Sequence, residues 1–485
     1  MARRLLFVLV LLGALPAWAG AATIIGKARG ETVQGTRRSD LIDVAGGGRD
    51  TVRCQGGLDT VVADSTDRVA ADCETVARRI ARDTTRREGQ HETIVEPAVA
   101  TAGSTVVTVF QSGRRTQGAA DAIGFATSTD AGATWRSGLL PSLTESSLPA
   151  GPWQVASDPV VAYDALHGRW IATALVLDAT SEAISASTST DGLTWSPPVA
   201  VASASRTSEA DVPLDKEWVT CDNWTASPHR GRCYVAATAS PDTAAATLVV
   251  WLSDDGGATW TQTTSIPRGY FAQIVARPSG QVVLFYLVEP THQLVAAQSG
   301  DGGVSFAPGT PVAASTQVGV EGLRAPSLPS LASGPSGEVV AVWSDCIPPS
   351  CGSLQVETSR STDGTHWSPP APVPLGAGSH VLPSVAIDPE AGTVAIADYV
   401  LAGRSCCALV AQIARSADGG ATWLTRRASV RPMPESWLAR ADRSGFLGDY
   451  VGIVFGPRHG GIAILPLAEP PTRAGLRQAL FAVRF

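Results

Sequence analysis

The chain has 485 residues, of which 37 are basic and 44 acidic, so its formal net charge at neutral pH is −7. This acidic balance leaves no basic surface for nucleic acid or for an anionic membrane. The 48 glycines and 33 prolines, together with only 17% charged residues, favour many short strands joined by turns over long helices.

The first residues form a predicted export signal. Arg3 and Arg4 precede an apolar stretch over residues 5–15, and small residues follow around Ala19. This order is typical of a signal peptide, so we expect residues 1–21 to be removed and the mature protein to be secreted. No later stretch reaches the roughly 18 apolar residues that a membrane helix needs.

Residues 22–76 contain glycine-rich turns with regularly placed aspartates. Asp50 and Asp59 lie nine residues apart, each after a glycine run, and Asp40 precedes them. The pattern resembles the calcium-binding repeat of secreted hemolysin-type (RTX) proteins, in which glycine turns let aspartates converge on Ca²⁺. The resemblance implies a small β module in which these three aspartates bind calcium; the alternative is a module with a purely structural role. Residues 77–91, rich in arginine, are predicted to be a linker or a short helix.

Six segments further along the chain repeat one turn pattern. The first copy is Ser128-Thr-Asp130-Ala-Gly132-Ala-Thr134-Trp135, and the six aspartates are Asp130, Asp191, Asp255, Asp301, Asp363 and Asp418. The segments resemble the Asp box of sialidases and related β-propellers. An aspartate and a hydroxyl can bond the backbone of their own turn, glycine accepts positive φ, and the aromatic ring packs on neighbouring strands. These aspartates are therefore predicted to stabilise hairpin turns and not to catalyse a reaction.

The spacing of the boxes predicts the fold. They recur about every 58 residues, which is enough for a four-stranded blade and its loops. Residues 92–485 are therefore expected to form an all-β, sialidase-like β-propeller, with innermost strands starting near residues 96, 158, 216, 271, 328, 382 and 448. Seven blades are favoured; six is the alternative, if the C-terminal strands complete a blade begun at the N-terminus. In either case the two ends should close the ring, since closure removes an open sheet edge.

The eight cysteines lie in close pairs, and an even number in an exported chain suggests disulfides. The alternative to local pairing is cross-linking between the last two pairs. We predict local bonds throughout: Cys54 with Cys73, Cys221 with Cys233, Cys346 with Cys351, and Cys406 with Cys407.

Charged residues recur where the predicted innermost strands begin. In a propeller these strand entries converge on one mouth of the central channel, so residues distant in sequence can share a pocket. Acids brought together there would raise the pKa of one of them or recruit a cation. The alternative is that ordinary turn chemistry places acids at strand ends. We expect the following residues at the mouth that faces away from the Asp boxes: Glu96, Asp158, Asp215, Lys216, Glu217, Asp449 and Tyr450.

The resemblance to sialidases implies a fold and leaves the activity open. Sialidases hold the substrate carboxylate with three arginines, the first in an Arg-Ile-Pro motif, whereas the nearest segment here ends in Glu96-Pro97. Arg324 and Arg443 precede innermost strands, where an arginine can reach the channel mouth, but we expect both to be solvated loop residues, so no full triad is assigned. We therefore expect a secreted propeller that recognises an extracellular glycan or polymer. The alternatives are exo-sialidase or another glycoside hydrolase activity, and a non-catalytic structural or protein-interaction role.

Overall fold

The structure is a computed structural model that describes residues 22–206, 213–239, 246–346, 351–401, 408–456, 459–473 and 475–485. The predicted signal peptide and the Cys406–Cys407 pair lie outside these residues. Within them the chain is all-β, with 38 strands and one three-residue 3-10 turn. No helix in this part of the chain is long and apolar enough to cross a bilayer.

The N-terminal residues form a solenoid of two parallel sheets. Its strands are β1 (Thr23–Ile25), β2 (Thr32–Gln34), β3 (Leu41–Asp43), β4 (Thr51–Arg53), β5 (Thr60–Ala63), β6 (Arg68–Val69) and β7 (Thr75–Ala81). One sheet has the order β1-β3-β5-β7 and the other β2-β4-β6. Short β-branched side chains such as Val33, Ile42, Val52 and Val61 fill the space between the sheets, because one residue of each short strand points inward.

Groups of four antiparallel strands follow from residue 94. The first four groups are β8 (Ile94–Ala102), β9 (Thr105–Arg114), β10 (Ala120–Ser128) and β11 (Arg136–Leu139); β12 (Val155–Asp164), β13 (Arg169–Leu177), β14 (Ser181–Ser189) and β15 (Val199–Ser205); β16 (Leu214–Cys221), β17 (Cys233–Ala239), β18 (Thr247–Ser253) and β19 (Thr261–Pro267); β20 (Gly269–Ala276), β21 (Val282–Val288), β22 (Gln293–Ser299) and β23 (Thr310–Ala314).

The remaining strands add further groups and one small sheet. In chain order they are β24 (Leu323–Arg324); β25 (Ser330–Ser333), β26 (Val339–Cys346), β27 (Leu354–Ser361) and β28 (Ala371–Pro372); β29 (Ser379–Ile387), β30 (Val394–Leu401), β31 (Ala408–Ser416) and β32 (Leu424–Arg427); β33 (Met433–Pro434), the 3-10 turn Glu435–Trp437, β34 (Ala439–Ala441) and β35 (Ser444–Phe446); β36 (Gly452–Phe455), β37 (Gly461–Ala468) and β38 (Gln478–Arg484). The small sheet has the order β24-β35-β34.

The first strand of each group lines a central channel. Each of these first strands contacts the next one around the channel, in the order β8, β12, β16, β20, β25, β29 and β36. The last of them, β36, contacts β8 and so closes the ring. The two ends of the chain meet in one sheet, where β38 pairs antiparallel with β7 and Phe481 lies opposite Arg79. The expected closure between the chain ends is confirmed.

The described residues form five separate antiparallel sheets and not the predicted seven. The first two groups are joined into one eight-stranded sheet by the pairing of Ala120 with Ala156. The strands β36 to β38 belong to the same sheet as the solenoid, through β7. The linker predicted over residues 77–91 is also wrong in part, because residues 77–81 are the second half of β7.

Aromatic residues on the second strand of several groups lie in the core between groups. Trp170, Tyr234, Trp343 and Tyr399 are fully buried there. Each such side chain removes roughly 150–250 Å² from water, which at about 25 cal/mol per Å² stabilises the fold by about 4–6 kcal/mol before entropy is subtracted. Three of the four predicted disulfides are formed: Cys54–Cys73, Cys221–Cys233 and Cys346–Cys351.

Each Asp box is a hydrogen-bonded turn. In the first copy, the Ser128 hydroxyl donates to Oδ1 of Asp130 at 2.8 Å, and the amide of Thr134 donates to the same oxygen at 2.8 Å. Hydrogen bonds from the hydroxyl and amide of Thr422 lower the pKa of Asp418 below its ordinary range. The same two contacts, a hydroxyl and a backbone amide on the carboxylate, occur in the other boxes at Asp191, Asp255, Asp301, Asp363 and Asp418.

The boxes and the entries of the channel strands lie on opposite edges of each group. The first box begins at Ser128, which pairs with Val106 near the start of β9. The channel strand β8 begins at Ile94, which pairs with Ser112 near the end of β9. The start of a channel strand therefore faces away from the boxes.

Candidate functional site

Five channel strands share a two-residue bulge close to their start. In β8, Glu96 and Pro97 together lie opposite the single residue Phe110 of β9, and the first of the two, Glu96, has a φ of 52°. A positive φ in a residue with a side chain costs on the order of 1–3 kcal/mol and is typical of functional sites. The equivalent residues of β12, β16, β20 and β29 also have positive φ: Asp158, Lys216, Phe271 and Leu382.

Four of the five bulges, those of β8, β12, β16 and β20, line a cavity of about 960 Å³ at the channel mouth away from the Asp boxes. Its charged lining includes five of the seven residues expected there: Glu96, Asp158, Asp215, Lys216 and Asp449. The structure places the other two differently, and for Glu217 the reason is that it follows Lys216 within the β16 bulge. Glu217 is fully buried, and Tyr450 lies deeper, where its hydroxyl donates to the carbonyl of Pro159 at 2.9 Å.

The acids at the mouth hold protons more tightly than exposed acids do. Burial, followed by the negative charges of Asp158 and Asp449, raises the pKa of Glu96 well above its ordinary value. Burial also raises the pKa of Asp158, although Lys216 opposes the shift. Burial and the charges of Asp158 and Asp449 raise the pKa of Asp215 to about 7. Asp215 is therefore able to give up or accept a proton near neutral pH.

Asp449 differs from these acids because it is ion-paired. Its two carboxylate oxygens accept from Nε of Arg324 at 3.0 Å and from a terminal guanidinium nitrogen at 2.6 Å. Arg324 is brought to the mouth by the parallel pairing of β24 with β35, and its guanidinium lies 5.5 Å from the ring centroid of Phe446. The charge of Asp449 in this bidentate pair raises the pKa of the Arg324 guanidinium above its ordinary value.

Arg114 is a second arginine at the mouth, and no sequence motif singled it out. It is buried at the end of β9, where it donates to the side chain of Gln111 at 3.1 Å and to the carbonyl of Ala119 at 3.2 Å. Burial lowers the pKa of its guanidinium. The end of the second strand lies at the same edge as the channel entries, so strand order alone could have placed Arg114 here.

Lys216 and Glu217 are buried polar groups whose charged ends find no hydrogen-bond partner in the described part of the chain. The Lys216 ammonium lies 4.0 Å from the ring centroid of Tyr450 and 4.7 Å from that of Trp218. Burial raises the pKa of Glu217 well above its ordinary value. Lys216 also contributes to the lining of the cavity, but its ammonium nitrogen is itself buried.

The predicted calcium ligands in the solenoid bond the backbone of neighbouring turns. Oδ1 of Asp50 accepts from the amide of Glu31 at 2.7 Å, and Oδ1 of Asp59 accepts from the amide of Asp40 at 2.7 Å. The carboxylate of Asp40 accepts from the amide of Thr36 at 2.5 Å. Across the described residues, no group of three or more His, Cys, Asp or Glu side chains is placed to hold a metal ion.

No protein-family model matches the sequence, and neither does any curated protein sequence. Among solved structures, the chain is similar to a Hadza microbial sialidase, with 16% identity and a TM-score of 0.44 over 70% of this chain and 67% of that one. It is also similar to an α-L-arabinofuranosidase of Fusarium graminearum, with 11% identity and a TM-score of 0.44 over 84% of this chain and 97% of that one. A third similar structure is the sialidase of Trypanosoma rangeli, with 10% identity and a TM-score of 0.43 over 67% of this chain and 57% of that one. Similarity at this level says nothing about the substrate of this chain.

Proposed function

We propose that the cavity at the channel mouth binds a carbohydrate. The observation behind this proposal is the mixed hydrogen-bonding lining, in which acids of raised pKa lie beside the Arg324–Asp449 pair and the Lys216 ammonium. A sugar hydroxyl both donates and accepts hydrogen bonds. One sugar can therefore form hydrogen bonds with protonated acids, carboxylates and cations at the same time. Because Arg324 is already paired with Asp449, a neutral sugar suits the cavity better than sialic acid, which needs free guanidinium groups.

We further infer that the cavity belongs to a secreted, seven-bladed propeller. The count of seven is reached when the eight-stranded sheet is counted as two blades, β36 to β38 with β7 as one blade, and the other four antiparallel sheets as one blade each. The closed order of the seven channel strands supports this count. The predicted signal peptide and the three disulfides support export, because disulfides persist in oxidising compartments.

Glycoside hydrolysis is the second candidate, and the contrast between Asp215 and Asp449 favours it. Asp215 has a pKa of about 7, whereas Asp449 is held by Arg324. Glycosidases cleave their bond with two carboxyl groups, one of which donates a proton while the other acts as a base or a nucleophile.

The binding proposal can be tested on a glycan array with the mature chain, followed by calorimetry on the glycans that bind. Asp449→Asn should weaken binding about 10- to 100-fold, since a hydrogen bond to a charged group contributes about 1.5–3 kcal/mol. Asp178→Asn is the matched control, because Asp178 lines the same cavity but accepts hydrogen bonds from the amides of its own turn.

Fluorogenic glycosides then separate the candidate functions: turnover indicates a hydrolase, and array binding without turnover indicates a binding protein. An empty array without turnover would leave the structural or protein-interaction role.

We also propose that the solenoid binds calcium between adjacent turns. The second carboxylate oxygens of Asp50 and Asp59 are buried without a hydrogen-bond partner among the described residues, and calcium takes such oxygens together with backbone carbonyls. Calcium added to the chelator-treated full chain should release heat and raise the melting temperature, because binding at 100 times Kd stabilises by about 2.7 kcal/mol. Asp50→Asn with Asp59→Asn should remove both effects, and Asp418→Asn, in an Asp box, should remove neither. A titration without heat would contradict calcium binding.

A further inference from the structure

The channel mouth is divided into a charged half and an apolar half. Four neighbouring strand entries present Asp449, Glu96, Asp158 and Lys216, and we call this set the charged arc. The next three entries present Phe271, Leu328 and Leu382, the apolar arc. Because the channel strands follow one another in a closed order, each set occupies a continuous part of the ring.

Two of the three side chains of the apolar arc are exposed to the cavity. Phe271 and Leu328 are half-buried and line the cavity together with Ala325 and Pro326, whereas Leu382 is buried at 3% exposure and does not line it. Phe271 has a φ of 50°, so its backbone is held in a costly conformation that keeps the ring at the mouth. Covering such apolar surface is favourable by about 25 cal/mol per Å². The arrangement therefore favours a ligand that has an apolar side.

We infer that the pocket takes a glycoside with an apolar aryl or alkyl aglycone, which packs on Phe271 and Leu328 while the sugar hydroxyls bond the charged arc. This inference rests on the proposed carbohydrate function and names its ligand class. The cavity, at about 960 Å³, lies near the top of the range of roughly 300–1,000 Å³ for small-molecule sites, so it has room for a group beside one sugar ring. An aromatic ring stacked on Phe271 would gain contact energy beyond its buried area.

The experiment compares methyl and phenyl glycosides of glucose, galactose and xylose, titrated into the full mature chain. The phenyl glycoside of the sugar that binds should be about tenfold tighter than its methyl partner. Phe271→Ala should remove this preference, while Phe271→Leu should keep most of it. Melting temperatures of both variants show whether the fold is intact, and Leu328→Ser provides a second variant on the same arc.

The possible results separate this inference from the function on which it rests. Equal affinity for methyl and phenyl glycosides, or a phenyl preference that survives Phe271→Ala, would overturn the aglycone inference and leave the carbohydrate function standing. If neither glycoside of any sugar binds and the glycan array is also empty, the carbohydrate function and the inference fail together. A phenyl preference that depends on Phe271 supports both.

Discussion

A chain that lacks residues 22–81 should lose its cooperative thermal transition and aggregate. The deletion removes β7, which pairs with β38 and contributes Ile80 and Ala81 to a core that includes Phe110 and Leu480. Without β7, β38 presents an unpaired edge, and such edges recruit other chains. Circular dichroism during heating and size-exclusion chromatography measure the two effects.

A chain that begins at Glu74 is the matched control. It lacks β1 to β6 but keeps β7, and it removes both Cys54 and Cys73, so no cysteine of that disulfide is left unpaired. It also loses the ion pairs Arg79–Asp64 and Arg431–Asp43. The Arg79–Asp64 pair is largely buried, and β7 also loses its pairing with β5, so we expect a clearly lower melting temperature. A single transition should remain, because β7 still pairs with β38. Equal melting of the two truncated chains would show that β7 does not close the ring.

The features that the sequence predicted well are local ones. Each Asp box bonds its own turn, so Ser128, Asp130 and Thr134 can be recognised from their spacing alone. The three disulfides in the described residues join cysteines separated by 5, 12 and 19 positions, and such short loops also leave few pairings to consider.

The part of the fold that the sequence did not predict depends on distant partners. Residues 77–81 belong to a strand because they pair with β38 some 400 residues away. Their two arginines conceal the strand pattern: Arg78 donates to the carbonyl of Asp64 at 2.7 Å, and Arg79 pairs with the Asp64 carboxylate at 3.0 Å. Both guanidinium groups are therefore satisfied close to the core and not on a solvated linker.

The site was predicted to the level of strand entries but not to the level of single side chains. A bulge moves every later side chain to the other face, so a one-residue uncertainty decides whether Lys216 or Glu217 faces the mouth. Arg324 reaches Asp449 only because β24 pairs with β35, which follows it by more than 100 residues. Neither effect leaves a periodic pattern in the sequence.

Asp215→Asn should lower the turnover of a glycoside that the chain hydrolyses by about 10²- to 10⁴-fold, the range found for lost acid–base catalysis. The pKa of Asp215 is about 7, so it acts as a general acid only while protonated. In the unsubstituted chain the rate should therefore fall as the pH rises through about 7, and this falling limb should disappear in the Asn variant. A pH–rate profile measures the loss of turnover and the fall of the rate above pH 7 in one experiment. Asp178→Asn is the control, in which the rate should still fall as the pH rises.

The same substitution has an effect on stability that does not depend on catalysis. Because the folded pKa of Asp215 is raised above its ordinary value, the unfolded chain ionises first, and the folded state loses stability as the pH rises from about 4 to about 7. Asparagine cannot ionise, so Asp215→Asn should raise the melting temperature at pH 8 relative to the unsubstituted chain and leave it nearly unchanged at pH 4. Asp178→Asn should not show this gain at pH 8, because hydrogen bonds from Thr180 and Ser181 lower the pKa of Asp178 in the folded state. An equal effect of Asp215→Asn at both pH values would show that Asp215 is an ordinary, solvated carboxylate and would remove it from the acid–base role.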